Sequence, residues 1–246
     1  MVQSEKELIR KIREMGGEDS EQVQVAIGDD CAVIRRDDRL LELVTTDTLV
    51  EKVHFDPAWH SPVLLGRKAA AVNISDIAAM GGVPRFCLLS LALPVGLEEQ
   101  WIGSFMDGFQ ERITEHGICL VGGDTVRSRK GVVISVTMIG EVAEDEVLLR
   151  STGRAGDLVM VSGPLGEAAA GLEIYRRKEV GEADSWLELQ MAHLDPFPET
   201  ELARVLAGSG RVSSMMDISD GLATDLAHIC AESSLGAEVD KDALPI

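Results

Sequence analysis

The chain has 246 residues, 45% of them hydrophobic, enough for a sizeable core in one large or two ordinary domains. Forty-two acidic residues against 23 basic ones give a formal charge of −19. Such a surface repels nucleic acid and anionic membrane, and a protein of this charge that handles phosphates needs divalent metal to bridge two negative partners. Aromatic residues at 4% exclude a base-stacking or carbohydrate platform.

Residues 4–15 predict a short amphipathic helix with Leu8, Ile9 and Ile12 on one side. This charged start is unlike a secretory signal. No apolar stretch is long and uncharged enough to span a membrane, so a cytoplasmic protein is expected. Val23–Ile27 and Cys31–Ile34 read as strands around Gly28-Asp29-Asp30, and Leu40–Thr46 as a strand ending at Asp47. Val50–Trp59 is irregular and carries His54. Leu64–Met80 is a helix, apolar nearly all round and ended by Gly81-Gly82, yet it holds Asn73 and Asp76 on one face. Asp76 is either a rim carboxylate or faces a metal site built by other segments, because an isolated buried carboxylate is costly.

Phe86–Leu93 follows as a strand, Glu98–His116 as a helix, Ile118–Val121 as a strand ending at Gly122-Gly123-Asp124, and Val132–Glu141 as an alternating strand. Residues 143–157 are charged and turn-rich, which sets a boundary between domains at 1–142 and 143–246. Beyond it, Leu158–Ser162, Val212–Met216 and Gly236–Val239 read as strands. Glu167–Arg177, Trp186–Ala192, Glu199–Ala207 and Leu222–Ser233 read as helices. Gly163-Pro-Leu-Gly166 either presents backbone N–H groups to a phosphate or is a tight turn. A strand begins just before Ile246, so the second domain is expected to be incomplete.

The four cysteines are spread without CxxC spacing and are expected to be buried free thiols, and the five histidines form no metal motif. Aspartates recur instead at the ends of four predicted strands: Asp29/Asp30, Asp47, Asp124 and Asp217/Asp220. Small or hydroxyl residues accompany them at Gly28, Thr45-Thr46, Gly122-Gly123 and Gly221. Hard oxygen donors without clustered Cys or His favour Mg²⁺ over Zn²⁺. Each motif alone is equally a turn, and Asp217 and Asp220 before a helix also fit an N-cap with first-turn acids. There is no P-loop GxxxxGK[ST].

Taken together, IGDDCAVI (27–34), VTTDTLVEKVHF (44–55), GRKAAAVNISDIAAMGGVP (66–84), VGGDT (121–125), SGPLGEAAAGL (162–172) and MDISDGLATDLAHI (216–229) resemble thiamine-monophosphate kinase. That family lies in the superfamily of aminoimidazole-ribonucleotide synthetase and selenophosphate synthetase. The resemblance implies a mixed α/β (α+β) fold of two domains, the first pairing its sheet with a second copy into a β-barrel. It implies direct transfer of a phosphoryl group from ATP to thiamine monophosphate across several Mg²⁺ ions. It makes Asp30, Thr45, Thr46, Asp47, Asp76, Asp124 and Asp217 Mg²⁺ ligands, with Asp220 holding a further ion. Gly123, Asp124, Arg150 and Ser219 would contact ATP, and His54 the thiamine phosphate; on its loop context alone, His54 is equally a surface histidine. Asp29 ranks below Asp30. No general base stands out. The family's later GGEDY-type motif and substrate-side aromatic are not found before Ile246. Another ATP-using enzyme of the superfamily, or a non-catalytic nucleotide or thiamine-phosphate binder, are the competing readings.

Overall fold

The computed structural model describes residues 5–16, 20–177 and 184–246. Its centre is a six-stranded sheet in the order β1 (Val23–Val25), β2 (Ala32–Arg35), β3 (Leu40–Val50), β6 (Val133–Ala143), β4 (Val83–Pro94), β5 (Cys119–Ser128). All neighbours are antiparallel except β4 and β5, which run parallel and are joined through helix α3 (Glu99–Glu115). Alternation along β3 and β6 sends Leu43, Ile134, Val136 and Met138 into the core beneath α2 (Pro62–Ala79) and α3. The other face carries Thr46, Thr48, Ser90 and Asp124 and is open.

Helix α2 is the central buried element. Ser61 Oγ accepts the Leu64 N–H at 3.4 Å and Pro62 opens the helix, two N-terminal signals that extend it beyond the expected start at Leu64. At the other end Gly81 takes φ +75°, and its N–H and that of Gly82 bond back to Ala78 and Ile77. This double return satisfies the last carbonyls and closes the helix. Where α2 meets α3, a Cβ on Gly66 would lie 2.1 Å from Phe105 O and one on Gly108 1.9 Å from Val63 O. The two helices touch backbone to backbone there.

Residues 143–246 contribute α4 (Glu167–Arg177), α5 (Asp184–Leu194), α6 (Thr200–Gly208) and α7 (Leu222–Glu232), following α1 (Glu5–Met15) at the N-terminus. The three strands expected here do not form among the described residues. Leu158 and Met160 are 88% and 83% exposed. A strand exists only where a neighbour supplies its ladder, and these apolar runs have none. Two other expectations are corrected. Asp47 and Asp124 do not end strands, because β3 and β5 run on through them to Val50 and Ser128. Cys119 is exposed and Cys230 half-buried, since Cys119 pairs opposite the exposed Phe86 at the sheet edge; Cys31 and Cys87 are buried as expected.

The second half is fastened to the N-terminal end of α2. Asp195 accepts from Arg67 Nε at 2.9 Å and from the buried Arg112 Nη2 at 2.6 Å; Lys68 Nζ donates to His193 O at 2.8 Å, and His60 Nε2 lies 3.1 Å from Leu194 O. Burial and the Lys68 charge push His60 and His193 down to about 4. Both are therefore neutral at pH 7.

Candidate metal centre and active site

Three carboxylates from distant parts of the chain meet at the far end of α2. One oxygen each of Asp30, Asp76 and Asp217 lies within 4.8 Å of the others. Asp30 comes from the loop between β1 and β2, Asp76 from the last turn of α2, and Asp217 from the loop before α7. Side chains on α2 fix them: Ser75 Oγ donates to Asp217 Oδ2 at 2.8 Å, and Asn73 Oδ1 accepts the Asp47 N–H at 3.0 Å. From β3, Thr45 Oγ1 donates to Asp76 Oδ2 at 2.6 Å. Arg150 reaches in from the chain after β6, its Nη2 donating to Asp30 Oδ1 and its backbone N–H to Asp29 Oδ2.

The electrostatics match a place for a cation. Burial pushes Asp76 up to about 8, and the charges of Asp47, Asp217 and Asp30 add to the rise. Burial likewise pushes Asp30 up to about 7 despite the bonded Arg150 guanidinium. Asp217, Asp47 and Asp29 are all raised, burial being the main cause in each. Buried carboxylates held together this way either take protons or neutralise a positive ion. Asp30 Oδ2 is buried without a hydrogen-bond partner, an orphaned acceptor on the side a ligand would fill. The donor set is all oxygen, which suits a hard divalent ion such as Mg²⁺.

Each residue anticipated from sequence has a definite place. Asp30, Asp76 and Asp217 form the cluster, with Asp47 and Thr45 beside it. His54 sits near Asp47, whose carboxyl burial raises and a positive charge on His54 would lower. The Val50 N–H donates to His54 Nδ1 at 3.0 Å, so the neutral ring carries its proton on the outward Nε2. Thr46 lies on the open sheet face and donates to Val136 O at 3.1 Å. Asp124 is also on that face, three strands further along; the neighbouring Gly123 has no room for a Cβ, which would stand 1.8 Å from Leu89 O. Ser219 and Asp220 are exposed on the loop before α7. The structure therefore does not bring Thr46, Asp124 or Asp220 into the three-carboxylate group. Gly163–Gly166 is a bend outside any helix or strand, and its Leu165 N–H bonds to Pro245 O at 2.8 Å.

The N-terminal domain description "AIR synthase related protein" matches residues 28–142, and the corresponding C-terminal domain description matches 154–246. The thiamine-monophosphate kinase of Haemophilus influenzae is 38% identical over all of this chain and 73% of its own length. That of Bacillus subtilis is 39% identical over 91% of this chain and 69% of its own. A solved structure described as AaThiL complexed with AMPPCP and TMP superposes with a TM-score of 0.84 at 34% identity, over 94% of this chain and 70% of that one. The chain belongs to the thiamine-monophosphate kinase family.

Within a thiamine-monophosphate kinase scaffold, two relationships escaped the sequence reading. The Arg150–Asp30 pair joins residues 120 apart, which no local pattern announces. Asp225 is 3% exposed and collects the backbone N–H groups of Ser219, Asp220 and Gly221 on one oxygen. Its signal was visible: an Asp within the first turn of a helix preceded by Gly, where orphan N–H groups need an acceptor. Among the described residues no helix is long and apolar enough to cross a membrane.

Proposed function

We propose that this chain transfers the γ-phosphoryl group of ATP to thiamine monophosphate, giving thiamine diphosphate and ADP. The observation that carries this reading is the convergence of Asp30, Asp76 and Asp217 in a chain of this family. These carboxylates, with Asp47 and Thr45, would hold Mg²⁺, and Thr46, Asp124 and Asp220 remain in the reading as ligands of further ions. When bound, Mg²⁺ neutralises charge between two anionic phosphates, which repel each other in its absence.

The chain's own groups supply alignment. Arg150, anchored through Asp29 and Asp30, offers a bidentate donor to nucleotide phosphate. Gly123 and Ser219 contact the nucleotide through close backbone approach and a hydroxyl. The outward Nε2–H of His54 donates to the thiamine phosphate. No residue need remove a proton, because the attacking phosphate oxygen is already ionised at neutral pH. The same reading divides the chain at 142/143 and places it in the cytoplasm. It also pairs two copies through the open sheet face, where Phe86 and Val126 are 45% and 52% exposed.

Incubation with Mg-ATP, with and without thiamine monophosphate, tests the reading through ADP and thiamine diphosphate. Matched ADP and thiamine diphosphate, only when thiamine monophosphate is present, is the expected result. ADP release indifferent to thiamine monophosphate, or folded protein that forms neither product, overturns it.

A further inference from the structure

Helix α7 begins without a side-chain cap: Gly221 precedes it at φ +102°, and no side chain of that residue can satisfy the first N–H groups. Asp225, one turn inside the helix, folds back instead. Its Oδ2 accepts the N–H of Ser219 at 3.0 Å and those of Asp220 and Gly221 at 3.1 Å each. Three consecutive amides thus converge on one buried, charged acceptor. Charge-assisted bonds of this kind are stronger than neutral ones.

The loop so gathered is the one that presents Asp217. Residues 217–221 belong to no strand or helix, so no ladder fixes them. The Asp217 carboxylate is held from outside by a single hydroxyl, Ser75 Oγ at 2.8 Å. We infer that Asp225 is a positioning residue: by locking the amides of 219–221 it sets the path of the 217–221 loop so that the Asp217 carboxylate stands against Asp30 and Asp76. Asp225 does not touch the ion. Its effect on metal binding passes through Asp217, and on nucleotide binding through Ser219. A residue that served α7 alone would lower stability and leave the site's affinity unchanged.

This inference rests on the metal reading above, so its test begins with metal alone. Mn²⁺, which takes the same hard oxygen ligands and is read by electron paramagnetic resonance, is titrated into wild type, Asp225→Ala, Asp225→Asn and Gly221→Ala. Amide exchange of residues 219–221 is followed in parallel. Asp225→Ala should weaken Mn²⁺ binding about 10- to 100-fold, the usual size for a residue that orients a metal ligand. It should also release protection of the three amides while α2 stays protected. Asp225→Asn keeps an acceptor oxygen in place and should recover most of the affinity. Gly221→Ala forces a side chain into a left-handed backbone and should mimic Asp225→Ala through the same loop.

Asp225→Ala or Gly221→Ala with wild-type Mn²⁺ affinity overturns the inference, as does loss of affinity with the three amides still protected. If Asp225→Ala does not fold, Asp225→Asn and Gly221→Ala carry the test: unchanged exchange at 219–221 in both overturns it. Wild type that takes up no Mn²⁺ overturns the metal reading itself, and this inference with it.

Discussion

Thr45 and Asp76 are joined across the junction of sheet and helix: the Thr45 hydroxyl donates to Asp76 Oδ2 at 2.6 Å. Burial pushes this carboxyl up to about 8 even with the bond in place, and the bond holds it below what burial alone would give. Thr45→Val keeps the shape and removes the donor. Asp76 should then hold its proton more tightly, and the Mg²⁺ concentration for half-maximal activity should rise about tenfold at pH 7, since a hydrogen bond to a charged group contributes about 1.5–3 kcal/mol. Raising the pH should narrow the gap between variant and wild type. A variant with unchanged Mg²⁺ dependence at pH 7 would separate Thr45 from the metal chemistry.

Metal-free stability should fall as pH rises from 6.5 to 8. The sign follows from proton counts. Asp30 at about 7 and Asp76 at about 8 hold protons in the folded chain that the unfolded chain has already lost. Stability therefore declines as these protons leave. His60 and His193, held down at about 4, contribute in the opposite direction, but only below the ordinary histidine range. In EDTA the loss over this window should be about 1–2 kcal/mol, read as a falling melting temperature. Adding Mg²⁺ at pH 8 should restore it. A melting temperature that rises across the window would contradict the assignment.

Asp76→Asn separates stability from function. It removes a buried negative charge facing Asp30, Asp47 and Asp217, so the metal-free chain should melt higher than wild type at pH 8. Activity should drop about 100-fold or more, as expected when electrostatic support for a charged transition state is lost. Thermal melts in EDTA alongside turnover in saturating Mg²⁺ measure both. A variant less stable than wild type in EDTA would show that repulsion among these carboxylates is not the dominant force there.

Asp195→Ala takes a shared carboxylate from two guanidinium groups: Arg67, which keeps Glu111 and Glu115, and Arg112, 1% exposed, which keeps Glu115. Removing one partner from a buried ion pair costs about 3–5 kcal/mol, and the glutamates that remain should hold the loss to the lower part of that range. Urea unfolding should show that loss, and Asp195→Asn should recover part of it through its remaining acceptor. A cost below about 1 kcal/mol would mean that the remaining glutamates and water satisfy both arginines without Asp195.

Gly108→Ala adds one carbon where 1.9 Å separates it from Val63 O. Helices α2 and α3 would have to move apart at the centre of the core, at a cost of about 3 kcal/mol or more. Gly103→Ala, on the same helix with open space around its Cβ, should instead be neutral or slightly stabilising. Equal melting temperatures for the two variants would refute the close crossing.

The sequence made the N-terminal half largely legible because its periodicities are strong. The alternation of Val132–Glu141 and the uniform apolarity of Leu64–Met80 each admit one structure. Asp76 stood out as a carboxylate where hydrophobic chemistry ruled. The ends of strands were less legible: nothing local says that β3 continues through Asp47 to Val50, since Thr-Asp-Thr-Leu-Val suits a turn or a strand until β6 pairs with it. The second half misled more, because the apolar runs at 158–162, 212–216 and 236–239 have strand composition without strand partners. Arg150 was named through the family resemblance as a nucleotide contact, but its partner Asp30 is a matter of tertiary path. Asp225 was overlooked because its bonds run backward along the chain, from within a helix to the loop before it.

Helix α2 is held by the second half of the chain near both its ends. Near one end Asp195 grips Arg67; near the other the Ser75 hydroxyl grips Asp217. Eight residues of helix separate Arg67 from Ser75, a rigid span of about 12 Å. A part fixed at two points along a rod can slide along it or pull free only by breaking both attachments together. Rotation about the rod's own axis is closed off as well, because Asp195 also accepts from Arg112 on α3 and Arg150 donates to Asp30. The two halves should accordingly stay registered around α2, and the carboxylate of Asp217 should keep its place against those of Asp30 and Asp76 for as long as both attachments hold.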